Sequence, residues 1–136
     1  GKKNYSIVTI TKNGLSLLNG PGNDIVAITN LMAAGVHIIL FTTGRGTPVG
    51  SAVPTVKIAT NHSLAVRKPE WIDFDASPVL DGNPLTDEIL EYVISVANGK
   101  ETKNDNIDGY GQEGALYQYP YPLNEKQVLV SYCKKG

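Results

Sequence analysis

The stretch Phe41-Thr42-Thr43-Gly44-Arg45-Gly46-Thr47-Pro48 sets two glycines, three hydroxyls and one cation directly after the apolar run Val36–Phe41. Glycines have no Cβ, so backbone N–H groups beside them can come close to a ligand. A guanidinium grips a carboxylate or phosphate through two parallel hydrogen bonds. The hydroxyls of Thr42, Thr43 and Thr47 suit a polyol. Such a loop would take a small, anionic, hydroxylated molecule. Gly44-x-Gly46 followed by Gly50 does not match the dinucleotide fingerprint, and no Gly-Lys-Ser/Thr follows to make a P-loop. A Gly-x-Gly corner alone is also compatible with a plain turn.

Other residues could add chemistry. His62, beside Asn61 at the end of a second strand-like run, is an acid–base candidate, because imidazole changes charge near neutral pH. Exposure to solvent would serve that histidine equally well without any function. His37 lies within an apolar run and reads as a core or interface histidine. Asp73 and Asp75 alternate on a strand-like piece and could share a face. Two acids without a nearby histidine or third acid are usually surface residues, and the residues name no metal ligands. Cys133 reads as incidental.

Positioning these groups requires a scaffold. Tyr5–Ile10 and Leu15–Leu18 are short strand-like runs around Asn13-Gly14, a hairpin signal. Asn23 or Asp24 can cap a helix near Asp24–Ala34 in which Ile25, Ile28, Leu31 and Met32 recur at helical spacing, with Gly35 at its stop. Val36–Phe41 reads as a buried strand and Thr55–Thr60 as another. Asn61–Pro84 is less regular. A second helix near Asp87–Ala97 carries acids in its positive first turn and buries Ile89, Leu90, Val93, Ile94 and Ala97. Lys100–Tyr110 reads as loop, and Gln127–Cys133 as a late strand-like piece. Strand, helix and strand joined by short loops predict an α/β fold: a mostly parallel central sheet flanked by helices. In such sheets ligands sit at the carboxyl ends of strands. Asn19–Asp24, Thr42–Thr47 and Thr60–His62 all fall there.

Bulk properties narrow the class. The 136 residues suit one domain with its own core, 41% of them are hydrophobic, and the formal charge is −1. That balance argues against nucleic acid or an anionic membrane surface as partner, and no apolar run approaches the ~20 residues of a bilayer span. One cysteine and no signal-peptide pattern fit a reducing, cytoplasmic setting. The start at Gly1, with Met32 as the only methionine, fits part of a longer chain.

Four segments together, Gly14–Asp24, Gly35–Asn61, Ile72–Gly82 and Tyr92–Asp105, resemble the C-terminal domain of the altronate and galactarate dehydratases. The pair "FTTGRGTP" and "PTVKIATN" is the most specific part. The resemblance runs from about Gly14 to about Gly111, making 14–111 the expected domain core and 112–136 a tail. It implies a hydro-lyase that dehydrates a sugar acid to a 2-keto-3-deoxy acid with a divalent metal, Fe2+ or Mn2+. It also implies N-terminal and middle domains elsewhere in the chain as partners, and an isolated domain without activity of its own. Arg45, Lys57 and His62 are then the catalytic candidates, with Arg45 or Lys57 stabilising charge on the substrate carboxylate. Thr42, Thr43, Gly44, Gly46, Thr47 and Asn61 would bind substrate, and the metal ligands would come mainly from the middle domain. A homo-oligomer is compatible with these residues. Two alternatives stay open: a sulfolactate sulfo-lyase-like lyase, and a non-catalytic ligand-binding or assembly domain of the same fold.

Overall fold

A computed structural model describes residues 22–106, together with Gly14, Leu18 and the segment Val130–Tyr132. The expected strand Tyr5–Ile10 and residues 15–17 lie outside the described residues.

Helix α1, Asp24–Ala33, starts where Asn23 Oδ1 accepts from Val26 N at 3.3 Å. Asp24 in the first turn adds a favourable charge at the positive helix end. The helix stops at Gly35, whose φ of 92° is a conformation that side chains resist. Strand β1, Ile39–Thr43, begins three residues later than the apolar run suggests and continues through Thr42 and Thr43. Strand β2, Thr55–Ala59, is buried throughout. The segment that reads as irregular contains the six-residue helix α2, His62–Arg67, the two-residue strand β3, Phe74–Asp75, and a 3-10 turn at Ser77–Asp81. Helix α3 spans Thr86–Ala97, and strand β4 spans Val130–Tyr132.

The four described strands form one all-parallel sheet in the order β3-β2-β1-β4, as expected for an α/β fold. Part of the tail therefore joins the sheet: β4 pairs with β1 from Ile39↔Val130 to Phe41↔Tyr132. The core lies on both faces. On one, Ile28 and Leu31 of α1 pack with Val36, Ile39, Phe41 and Val53, and Leu18 leans against them. On the other, Val56 and Ile58 pack with Val96, flanked by Leu40, Phe74, Ile89 and Tyr92.

Helix α3 buries Val93 and Val96 while Leu90 and Ile94 remain 55% and 49% exposed, so its buried stripe is rotated from the expected one. Tyr92 lies on the inward side. Its ring meets Phe74 edge-on at 6.2 Å and its hydroxyl donates to Asp73 Oδ1 at 3.2 Å. Burial, reinforced by the Asp73 charge, pushes the Tyr92 phenol up to about 12, so it stays a donor. Among the described residues no helix is long and apolar enough to cross a membrane.

Candidate functional site

Parallel pairing brings three strand ends to one level: Thr43 is level with Ala59, and Ala59 with Asp75. The residues after these positions therefore gather along one edge of the sheet. After β1 comes Gly44-Arg45-Gly46, and after β2 comes Thr60-Asn61-His62.

The first loop is fixed from several sides. Thr43 Oγ1 accepts from Gly46 N at 2.9 Å. Asn61 Nδ2 donates to the Gly44 carbonyl at 2.9 Å, while Asn61 Oδ1 accepts from Leu64 N and so caps α2. Lys68 Nζ donates to the Arg45 carbonyl at 3.2 Å while lying 4.4 Å from the centre of the Trp71 ring. Gly46 has a φ of 79°, and a Cβ there would lie 2.9 Å from Leu64 Cδ1. Only glycine fits both the turn and its contact with α2.

With its backbone held this way, Arg45 is exposed. Among the described residues its guanidinium has no hydrogen-bond partner. Thr47 Oγ1 accepts from Val49 N within the same loop, and Thr42 is a half-buried strand residue. Both polar atoms of the Asn61 side-chain amide are used within the protein, so Asn61 joins the two loops and holds the site together. Replacing Asn61 with Ala removes a helix cap and a loop tether together, and should cost about 1–2 kcal/mol. Asn61→Asp, which keeps the cap, should recover part of that loss in urea unfolding curves.

His62 opens α2. Its Nδ1 lies 2.9 Å from Asp75 Oδ2, and its side chain is 75% exposed. The other carboxylate oxygen of Asp75 accepts from Ser77 N at 2.9 Å. Burial acts to raise the Asp75 carboxyl, but the hydrogen bonds from His62 and Ser77, with the His62 charge, outweigh it and hold the group below its usual range. Asp75 is therefore an acceptor at neutral pH. Sequence reading singled out both residues but not their pairing.

Lys57 sits apart from this edge. In mid-β2 it is fully buried, and its Nζ donates to Asn104 Oδ1 at 3.0 Å. Its backbone N–H donates to Asp73 Oδ2 at 2.8 Å. Asp73 also accepts from Lys103 N, tying the segment after α3 to the sheet. Asn104 in turn rests on Gly50, where a Cβ would lie 1.7 Å from its Nδ2. Burial lowers the Lys57 ammonium to about 8, against the opposing pull of Asp73. An unfolded lysine keeps its proton up to about 10.5, so the charge opposes folding below pH 8 and the penalty fades as pH rises toward 10.5. The stability of wild type relative to Lys57→Met should thus rise between pH 8 and 10, by at most about 3 kcal/mol. Paired denaturation curves across that range measure it.

Among the described residues no group of three or more His, Cys, Asp or Glu could hold a metal ion. His62 and Asp75 are two donors already turned toward each other. These residues do not make a divalent metal site by themselves.

Comparison with known proteins adds to this geometry. Residues 5–119 match the family model described as D-galactarate/Altronate dehydratase, C-terminal. The chain belongs to that family. It is 52% identical over 98 residues to an altronate dehydratase of Escherichia coli (strain K12), covering 70% of this chain and 20% of that protein. It is 47% identical over 108 residues to an altronate dehydratase of Bacillus subtilis (strain 168), covering 76% of this chain and 22% of that one. A galactarate dehydratase (L-threo-forming) of Escherichia coli is 38% identical over 118 residues, 83% of this chain and 22% of its own. The chain thus spans about a fifth of the length of these relatives. Sequence reading placed the dehydratase family correctly.

Proposed function

We propose that this domain serves a hydro-lyase that dehydrates a sugar acid of the altronate or galactarate type to a 2-keto-3-deoxy acid. The domain would bind the substrate carboxylate and hydroxyls along the edge formed by Arg45, Thr43 and His62. One observation carries the reading: the Gly44–Gly46 backbone is held by Thr43, Asn61 and Lys68, leaving the Arg45 guanidinium exposed at the carboxyl ends of parallel strands. A fixed loop presenting one uncommitted cation suits a carboxylate.

Elimination of water from a sugar acid removes the proton on the carbon next to the carboxylate. That pair of electrons forms a carbon–carbon double bond as the neighbouring hydroxyl leaves as water, and the resulting enol becomes the keto acid. Negative charge builds on the carboxylate oxygens in the first stage, where a bidentate cation stabilises it most. In this reading Arg45 holds the carboxylate, Thr43 and Thr47 offer hydroxyls beside it, and His62 exchanges the proton. Lys57, whose ammonium is buried against Asn104, takes no direct part in this reading. We place any divalent metal, with most of its ligands, outside the described residues, and no step here depends on it.

The exposure of Arg45 and the inward-facing amide of Asn61 also favour a second reading, in which this edge docks against another domain without touching substrate. Turnover separates the two. The full-length enzyme should convert altronate or galactarate to the keto acid and lose that conversion when Arg45 is changed to Ala. Unchanged turnover in the variant favours docking, and no turnover of either acid by the wild type overturns the dehydratase reading.

A further inference from the structure

We propose that Asp75 is a positioning residue that fixes the proton of His62 on Nδ1, so that Nε2 is the atom that accepts the substrate proton. This deepens the proposed dehydration and rests on that reading.

Three features converge. First, Asp75 Oδ2 is 2.9 Å from His62 Nδ1. An ionised carboxylate only accepts hydrogen bonds, so Nδ1 must be the donor, and in the neutral ring Nε2 then carries the free lone pair. Second, the carboxylate cannot turn freely, because its Oδ1 holds Ser77 N at 2.9 Å at the start of the 3-10 turn. Third, the register of β1, β2 and β3 sets Asp75 level with Ala59 and Thr43, so the pair stands on the same sheet edge as the Arg45 loop. His62 is covalently next to Asn61, which grips the Gly44 carbonyl. The histidine and the cation are thus tied to one backbone framework.

In the proposed step, Nε2 takes the proton from the carbon beside the carboxylate. The C–H electrons form the new double bond as the C–O bond of the neighbouring carbon breaks; the departing hydroxyl takes a proton from solvent and leaves as water, and His62 later returns its own proton to solvent. Dehydration loses one water, with no oxidant or reductant required. The imidazolium formed on His62 stays hydrogen-bonded to Asp75 through Nδ1.

Asp75→Asn tests the assignment. Ser77 N–H requires an acceptor, so the amide oxygen should take its place and turn the NH2 toward His62. That forces Nδ1 to accept and moves the neutral-ring proton to Nε2, removing the free lone pair from the working side. In the full-length enzyme kcat should fall by about a hundredfold or more. KM should change less than threefold, and the melting temperature should stay close to wild type. Enzyme labelled with 15N-histidine, its His62 signals assigned by their loss in His62→Gln, should show the Nδ1-protonated ring in wild type and the Nε2-protonated ring in Asp75→Asn. A wild-type ring protonated on Nε2 overturns the proposal, even where the variant fails to fold. So does a variant whose kcat is retained while the wild type dehydrates the sugar acid. Absence of dehydration by the wild type bears on the proposed function instead, since the ring tautomer is read without turnover.

Discussion

Arg45→Ala in the full-length enzyme should lower kcat/KM for the sugar acid by two to three orders of magnitude, or about 2–4 kcal/mol of transition-state stabilisation. The fold should survive, because the loop is held by backbone and neighbouring side chains: Thr43 on Gly46 N, Asn61 on Gly44 O and Lys68 on Arg45 O. None of these contacts uses the guanidinium. Arg45→Lys keeps the charge but loses the planar fork, so it should fall between wild type and alanine. Kinetics and thermal melts on one preparation decide the matter. A loss confined to KM would show that arginine binds substrate and transition state equally. An unchanged kcat/KM would take the loop out of the chemistry.

The second large effect concerns stability. Asn104→Leu removes the acceptor of a fully buried ammonium and should cost about 2–3 kcal/mol, since a stranded buried charge loses more than one ordinary hydrogen bond. Gly50→Ala should act through the same contact. Its new methyl would occupy the space of the Asn104 amide, which must then swing away from Lys57. The two substitutions should therefore be far from additive. Pairing Asn104→Leu with Lys57→Met should recover most of the loss, because removing both polar partners leaves neither stranded. Urea unfolding of the two single variants and the double variant tests this. Costs that simply add would mean that Lys57 and Asn104 do not depend on each other.

The elements read correctly from sequence are those whose signals are local. Helix α1 has its cap in Asn23, its apolar spacing and its stop at Gly35 within one short stretch. Strands β1 and β2 are short apolar runs between breakers. Helix α2 is not legible because little in it is local, only Leu64 being buried, and β3 shows in the sequence only as the strand-like piece around Asp73 and Asp75, two residues of which pair. They exist because Asn61 caps the one and the backbone of β2 pairs with the other. The same division governs the site. The glycine-flanked arginine announces itself at a strand end. The His62–Asp75 pairing depends on strand register, and the burial of Lys57 depends on Asn104, far along the chain. Helix α3 is legible from its apolar spacing, but the stripe it buries is not, since Tyr92 also turns inward, toward Asp73.

Among the described strands, β1 lies inside the sheet because Val130–Tyr132 covers its outer side, and Ile39 meets Val130 roughly ninety residues later in the chain. During synthesis that cover leaves the ribosome after every other element described. Until it arrives, the most apolar strand of the sheet shows a row of unpaired backbone groups, a template for pairing with any other extended chain. The newborn domain is therefore most exposed to wrong partners just before synthesis reaches Val130–Tyr132. The short closing strand acts as the seal on that interval.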